Sequence, residues 1–296
     1  MHFDLDAGAV KRLTAVGSVA KSSVLDVAAE SDILFSVLPN DAILTSVSLG
    51  ADGLGGINSV MKPDSIHVSC STVGPWTSRS IAAAHKKKGI EFVSAPVFAR
   101  PDGMAAGHAT IPMSGSAGAI ERVKPYLQAT ATGVYDTFGP DPGAANVVKL
   151  TGNFLIASAI ESLSEALAMA EANGVDREAT YNLLTETIFD CLIYKGYGQR
   201  VASRDHAPYP DAHFALELGR KDVALVRETA TRTNVPMPLA SLLVDRFASA
   251  AAKGRGDLDW SAIGLQASED SGVDVTKWLE RCKREDPKLN WLPPVK

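Results

Sequence analysis

Lys149 and Asn153 are the residues whose types and spacing point most directly to chemistry. They stand four positions apart in a mostly apolar stretch, residues 143–174, and residues four apart share one face of a helix. A lysine in an apolar helix is costly unless it is solvated, paired or used in chemistry, because burial disfavours its charged form. The alternative is a lysine that reaches past the helix edge to water.

The stretch 143–174 is predicted to form one long helix. Pro142 precedes it and Gly174 ends it, and these residue types suit the first helical turn and the left-handed position just past a helix end. Its apolar side chains occupy most of the circumference, which predicts a buried helix. The turn-rich residues before it mark a boundary, so we expect domains at 1–140 and 141–296.

The first of these domains alternates β-rich runs with helical patterns, whereas the second shows helical patterns alone. Such alternation is typical of a parallel sheet with helical crossovers. The fold is therefore predicted to be an α/β Rossmann-type parallel sheet followed by an all-α domain, with a long interdomain helix. Strands are expected within 32–39, 65–72, 91–96 and 109–113, and helices near 23–30, 42–49, 76–88, 117–127, 177–188, 215–231, 239–253 and 275–284.

The composition argues against several classes of function. A net charge of −5 on 296 residues disfavours nucleic acid or an anionic membrane as the partner. No apolar run approaches the roughly 20 residues of a membrane span, and the N-terminus lacks the pattern of a signal peptide. Three widely separated cysteines indicate reduced thiols in the cytoplasm, and six histidines without paired spacing argue against a metal site.

Candidate binding residues follow two of the predicted strands. Leu38-Pro39 ends the first strand, and Ser71-Thr72 ends the second. In such folds ligands bind beyond the carboxyl ends of the strands, so both pairs could face a ligand. For each residue alone, ordinary loop chemistry is the alternative.

A further group lies in the helical domain, where Phe214 precedes the adjacent pair Lys221-Asp222. We expect Phe214 to lie on one helix with Lys221, two turns earlier and on roughly the same face. Lys221 and Asp222 are neighbours, so their side chains should point in different directions. A surface charge pair above a core aromatic would produce the same pattern.

The N-terminus lacks the motif that opens a dinucleotide-binding domain, a strand, a G-x-G-x-x-G turn and a helix. The glycine-rich residues 50–56 follow a helical pattern and are predicted to form a loop. Residues 1–6 look like the end of a strand carrying the acidic Asp4, and such an acid would hold an adenosine ribose. The Rossmann sheet is therefore expected to be N-terminally incomplete.

Together these residues resemble the β-hydroxyacid dehydrogenase family, which includes 3-hydroxyisobutyrate dehydrogenase and 6-phosphogluconate dehydrogenase. The resemblance extends over nearly the whole chain, from Asp4 to about Gly272. Its motifs are a Leu-Pro pair and a Ser-Thr pair at strand ends, a glycine followed by Lys and then Asn four residues on, and a Phe before a Lys-Asp pair. Here they are Leu38-Pro39, Ser71-Thr72, Gly143 with Lys149 and Asn153, and Phe214 with Lys221-Asp222.

The resemblance implies an oxidoreductase dependent on NAD or NADP that acts on a small-molecule hydroxy or carbonyl substrate, as a homodimer or homotetramer. Lys149 would be the general acid–base, and Asn153 would hold Lys149 or the substrate in place. An acid at Asp4 favours NAD, because it would repel a 2′-phosphate. The implied cofactor-binding residues are Asp4, Leu38, Pro39, Thr72 and Lys221; the implied substrate-binding residues are Ser71, Phe98, Arg100, Phe214 and Asp222.

Two departures from the family pattern bear on function. Phe98-Ala99-Arg100 replaces a Ser-Gly-Gly segment that would grip a carboxylate, so a more apolar carbonyl or an imine becomes a candidate substrate. Arg100 would either hold an anion or point to water. The absent glycine turn leaves two interpretations, an incomplete version of an active enzyme, which we expect, or a cofactor-impaired, non-catalytic dimerising or ligand-binding paralogue.

Overall fold

A computed structural model describes residues 1–51, 53–207, 212 and 214–282 of the chain. It divides into two compact units, Met1–Lys149 and a second unit that begins at Leu150. The division falls within the helix Ala144–Ala172. The domain boundary after residue 140 precedes that helix and stays a prediction.

The first unit alternates strands and helices, as the sequence pattern predicts, and the four expected strands are all present. The short helix α5 and the last strand β7 were not expected. The elements are α1 Ala7–Ala15, α2 Val24–Ala29, β1 Ile33–Ser36, α3 Asp41–Leu49, β2 Gly50–Ala51, β3 Leu54–Gly55, a 3₁₀ turn at Ile57–Ser59, β4 Ile66–Ser69, α4 Pro75–Lys86, β5 Glu91–Ser94, α5 Pro101–Ala105, β6 Ala109–Pro112, α6 Ala117–Gln128 and β7 Ala131–Tyr135.

The central sheet is parallel and has the order β1-β4-β5. All four side chains of β4 are buried, as expected of a strand covered on both faces. Two isolated antiparallel bridges follow: one joins Ser94, at the end of β5, to Ser114, just after β6, and the other joins Phe98 to Thr110 in β6. Strand β6 pairs in parallel with β7. The predicted Rossmann-type parallel sheet is confirmed, and the carboxyl ends of β1, β4 and β5 lie at one edge.

The structure corrects two expectations near the N-terminus. The glycine-rich residues 50–56 contain the antiparallel hairpin β2–β3 rather than a plain loop. Residues 1–6 contribute only an isolated parallel bridge between His2 and Ala20, and Asp4 lies outside any strand, exposed to solvent. Its Oδ1 accepts a hydrogen bond from the Asp6 amide at 2.8 Å. This local bond competes with a strand ladder, which explains why the strand stops short of Asp4.

The second unit is helical throughout its described residues. Its core surrounds Trp260, which is 2% exposed and packs edge-on against Tyr197 and Phe214. Two helices, α9 and α12, were not predicted, and residues 283–284 of the last predicted helix lie outside the described residues. The elements are α7 Ala144–Ala172, which begins in the first unit, α8 Arg177–Glu186, α9 Leu192–Ser203, α10 Leu216–Arg232, α11 Pro238–Ala252, a 3₁₀ turn at Trp260–Ile263, α12 Gly264–Asp270 and α13 Thr276–Cys282.

Within the described part of the chain, no helix is both long enough and apolar enough to cross a membrane.

Candidate functional site

Lys149 lies in the second turn of α7 and is buried. Only 9% of the residue is exposed, and its Nζ lies 4.1 Å from the centre of the Phe98 ring. An ammonium over an aromatic face is attracted by the ring quadrupole. The alternative of a lysine that reaches out to water is therefore not what the structure shows.

The first turn of α7 is tied to the end of the sheet by hydrogen bonds. The Ser94 hydroxyl at the end of β5 donates to the Pro142 carbonyl at 2.6 Å, and the Ala145 amide donates to Ser114 Oγ at 3.0 Å. Asn146 is fully buried and bonds to three separate segments. In the sequence, Asn146 stands out only as a polar residue in an apolar helix, and we did not predict it.

The loops after β1 and β4 are tied to each other. The Leu38 amide donates to Ser71 Oγ at 2.8 Å, so two of the predicted site residues meet. Asp41 Oδ1 accepts from the Gly74 amide at 2.8 Å and from Thr77 Oγ1 at 2.6 Å. Asp41 was not predicted, although an acid just after a strand-ending Leu-Pro pair could have suggested it.

Pro39 is exposed at this edge, and Thr72 and Leu38 are half-buried. They stand at the carboxyl ends of parallel strands, where such folds bind ligands. These residues fit a nicotinamide cofactor, because an apolar pair and a hydroxyl suit the ring and carboxamide of that group. Leu38, Pro39 and Thr72 would hold its nicotinamide end.

Phe98 and Arg100 differ in their surroundings. Phe98 is fixed by two backbone hydrogen bonds with Thr110, of 2.9 and 3.0 Å, which hold its ring over Lys149. The Arg100 guanidinium instead forms two hydrogen bonds with the Asp102 carboxylate, at 3.3 and 3.0 Å. An anionic substrate would have to compete with Asp102 for Arg100, so Arg100 neither points to water alone nor offers an empty anion site.

In the second unit, Asp222 joins Asn153 and Lys221. Asp222 is 1% exposed, and its Oδ2 accepts from Asn153 Nδ2 at 2.6 Å. Its Oδ1 lies 2.9 Å from Lys221 Nζ. The expectation that Lys221 and Asp222 point apart was therefore wrong, because the long lysine side chain folds back onto its neighbour. Asp222 supports Asn153 and Lys221 here, and its predicted contact with substrate stays a prediction.

Phe214 is not on the helix that carries Lys221. Helix α10 begins at Leu216 with Ala215 as its N-cap, so Phe214 precedes the helix. Its ring packs edge-on against Trp260 with 5.0 Å between centres, and its carbonyl accepts from the Trp260 amide at 2.8 Å. The shared face predicted for Phe214 and Lys221 was wrong, because that face required an earlier helix start. Its role toward substrate stays a prediction.

Replacing Asp222 by alanine should lower the free energy of unfolding of the chain by about 1–3 kcal/mol. The change removes the buried carboxylate that accepts the Asn153 hydrogen bond, and the loss of a buried hydrogen bond to a charged group costs about that much. Urea unfolding at neutral pH measures the difference. The exposed Asp245 on α11 offers the matched control, Asp245→Ala, which should change stability by less than about 0.5 kcal/mol. Equal effects at both positions would contradict a structural role for the Asp222 contacts.

Comparison with known proteins places this arrangement in a family. The profile for the NAD-binding domain of 6-phosphogluconate dehydrogenase matches residues 1–139. The profile described as the NAD-binding domain of NADP-dependent 3-hydroxyisobutyrate dehydrogenase matches residues 143–265. Together the two matches extend over most of the chain.

Comparison with individual proteins supports the same family. An uncharacterized oxidoreductase of Bacillus subtilis is 34% identical over 85% of this chain and 85% of its own length. The 2-(hydroxymethyl)glutarate dehydrogenase of Eubacterium barkeri is 30% identical over 93% of this chain and 88% of its own length. The crystal structure of a 3-hydroxyisobutyrate dehydrogenase from Salmonella typhimurium is 31% identical, with a TM-score of 0.77 over 89% of each chain. The chain therefore belongs to the β-hydroxyacid dehydrogenase family of NAD(P)-dependent oxidoreductases.

Proposed function

We propose that Lys149 is the general acid–base of a hydride transfer between NAD(P) and a small hydroxy or carbonyl compound. The observation that supports this most directly is the burial of Lys149 on α7, with its ammonium 4.1 Å from the Phe98 ring. A general acid–base must give and take a proton at a site sheltered from bulk water, and a lysine residue that is only 9% exposed meets that condition. The relatives reported above are oxidoreductases, so the non-catalytic alternative has no support among them.

The cofactor, when bound, supplies or accepts the hydride. In reduction, Lys149 Nζ donates a proton to the substrate oxygen, and in oxidation it removes the proton from the hydroxyl. Asn153 lies one turn along α7 on the same face, and its amide, held by Asp222, donates to or accepts from the substrate. Thr72, Leu38 and Pro39 hold the nicotinamide end, and Lys221 and Asp4 contact the rest of the cofactor.

The substrate we propose is a small hydroxy acid or the corresponding carbonyl compound. Relatives named for such compounds include the L-threonate dehydrogenase of Escherichia coli, 30% identical over 88% of this chain. Phe98 favours substrates with an apolar group beside the reacting carbon, while Ser71 and Arg100 offer polar contacts to the remainder. An apolar carbonyl compound or an imine is the second candidate, supported by the aromatic ring that stands against Lys149.

A cofactor titration followed by a substrate panel tests the proposal. Fluorescence titration with NADH and with NADPH should saturate for at least one, and the favoured cofactor decides the role of Asp4. Turnover is then followed by NAD(P)H absorbance with hydroxy acids, their aldehydes or ketones, and cyclic imines. We expect turnover with compounds of the first two groups. Saturation by neither cofactor, or turnover with imines alone, would contradict the proposed function.

We also propose that the chain acts in the cytoplasm as a homodimer or homotetramer built on its helical unit. Two large apolar side chains of α7 are well exposed, Leu155 at 60% and Met169 at 66%, as expected of residues that a second copy covers. Size-exclusion chromatography with light scattering measures the mass in solution. A monomer at micromolar concentration would contradict the assembly.

A further inference from the structure

Asn146 forms hydrogen bonds with three segments of the first unit. It lies three positions before Lys149 on α7 and has no exposed surface. Its Oδ1 accepts from the Val73 amide at 3.2 Å. Its Nδ2 donates to Ser78 Oγ at 3.0 Å and to Ser94 Oγ at 3.4 Å. One buried side chain therefore meets the loop after β4, the helix α4 and the end of β5.

The orientation of the Asn146 amide follows from its partners. The Val73 amide can only donate, so the side-chain oxygen of Asn146 must face it. The Ser94 hydroxyl uses its proton on the Pro142 carbonyl, at 2.6 Å, and so must accept from Asn146. A reversed amide would place donor against donor at Val73. An asparagine therefore suits this site, because both its side-chain oxygen and its side-chain nitrogen have hydrogen-bond partners.

These contacts fix the part of α7 that carries Lys149. Val73 directly follows Ser71-Thr72, and Ser94 is the last residue of β5. Asn146 therefore connects the Thr72 loop to the first turn of α7. Lys149 lies three residues farther, a rise of about 4.5 Å along the helix axis. A shift of the first turn would move Lys149 relative to the Thr72 loop.

We propose that Asn146 is a positioning residue for Lys149, holding the first turn of α7 against the ends of β4 and β5 so that Nζ stays in place for proton transfer. This inference rests on the proposed role of Lys149. Misplacement of a reacting group by about 1 Å can cost about 10²-fold in rate. Asn146 acts through Lys149 and does not itself meet the substrate.

The test uses the full-length chain with its cofactor and the best substrate of the panel. Asn146→Ala should lower kcat per cofactor-binding site by about 10- to 100-fold. The KM for the cofactor should stay within about 3-fold, because Leu38, Pro39 and Thr72 remain. The midpoint of the pH dependence of kcat should also move, because the surroundings of the Lys149 ammonium change.

Val123→Ala is the matched control for a loss of stability alone. Val123 lies on α6, is fully buried in the core of the same unit, and belongs to no part of the proposed site. Its variant should keep kcat per site and the pH midpoint. If Asn146→Ala behaved like this control, with unchanged kcat per site and unchanged pH midpoint, Asn146 would have a structural role and no positioning role.

Two further variants, Ser78→Ala and Lys149→Ala, distinguish a failure of the positioning role from a failure of the proposed function. If Asn146→Ala does not fold, Ser78→Ala removes one acceptor and should show the same changes at smaller size; an unchanged kcat there overturns the inference. If Lys149→Ala keeps its turnover, the proposed function itself is wrong. If Lys149→Ala is inactive while Asn146→Ala has normal kcat and pH dependence, only the positioning role is wrong.

Discussion

Replacing Lys149 by alanine should lower kcat by about 10²- to 10⁴-fold, the range that a positioned acid–base group contributes. The Kd for the nicotinamide cofactor should change by less than about 3-fold, because an interaction used in the transition state alone affects kcat and leaves binding intact. Steady-state rates from NAD(P)H absorbance and a fluorescence titration of the same preparation measure both quantities.

Two other substitutions at Lys149 distinguish proton transfer from packing. Lys149→Met keeps the length and the apolar contact with Phe98 but carries no proton, so it should be as inactive as alanine. Lys149→Arg keeps a cation against the ring, yet a guanidinium does not give up its proton in a protein, so acid–base function should also be lost. Retained turnover in either variant would contradict proton transfer by Lys149.

A second lysine, Lys124, serves as a control for the general effects of removing a positive charge. Lys124 on α6 pairs with Asp136 at 2.6 Å and takes no part in the proposed site. Lys124→Ala should leave kcat unchanged and should cost little stability, as is usual for a partly exposed ion pair. A loss of turnover there equal to that of Lys149→Ala would mean that neither result reports on catalysis.

The sequence pattern predicted those parts of the protein that depend on local chemistry. Helix α7 begins at Ala144 and ends at Ala172, within two residues of the predicted bounds, because proline and glycine mark its ends and its apolar side chains dominate. Residue type and spacing pointed to Lys149 and Asn153, whose place on one helix is confirmed and whose catalytic roles stay predictions. Asn146 and Asp41 were missed, because their partners lie 33 to 73 positions away in the chain. Contacts of that range have no local signature.

Helix α9 shows how packing overrides local preference. Its sequence contains Gly196 and Gly198, which weaken a helix by roughly 1 kcal/mol each, and no helix was predicted there. A Cβ at position 198 would lie 2.8 Å from Leu163 and 3.0 Å from Tyr181. The glycine is therefore required by the close approach of α9 to its neighbours.

Acidification should destabilise the chain, because the first unit buries two neutral histidines in contact. His67 on β4 and His85 on α4 have no exposed surface, and His67 Nδ1 lies 3.0 Å from His85 Nε2. The other His67 nitrogen lies 2.8 Å from Ser36 Oγ. Burial lowers the pKa of His67 to about 3, with a smaller contribution from His85, and burial lowers the pKa of His85 to about 4.

The direction of the pH dependence follows from these values. In the unfolded chain both histidines have a pKa near 6.5. At neutral pH neither state is protonated, so the full stability is present. As the pH falls below about 6.5, the unfolded chain binds two protons that the folded chain refuses until about pH 4. Each group then lowers the free energy of unfolding by up to about 1.4 kcal/mol for every pH unit. For two groups over a few pH units, this is a large fraction of the typical free energy of unfolding, about 5–15 kcal/mol.

Urea unfolding at about pH 7, 6 and 5 measures this slope, with His85→Gln and His108→Gln as the compared variants. His85→Gln removes one titrating group while its amide can still bond to His67, so the slope between about pH 6 and 5 should fall by up to about 1.4 kcal/mol per pH unit. His108 is exposed, and its variant should keep the full slope.

His206 in the second unit is buried like His67 and His85, and burial lowers its pKa to about 3, so a residual slope remains in every variant. A slope that is the same in His85→Gln as in the unsubstituted chain would mean that the histidine pair is protonated or hydrated in the folded state, and the buried neutral contact would be wrong.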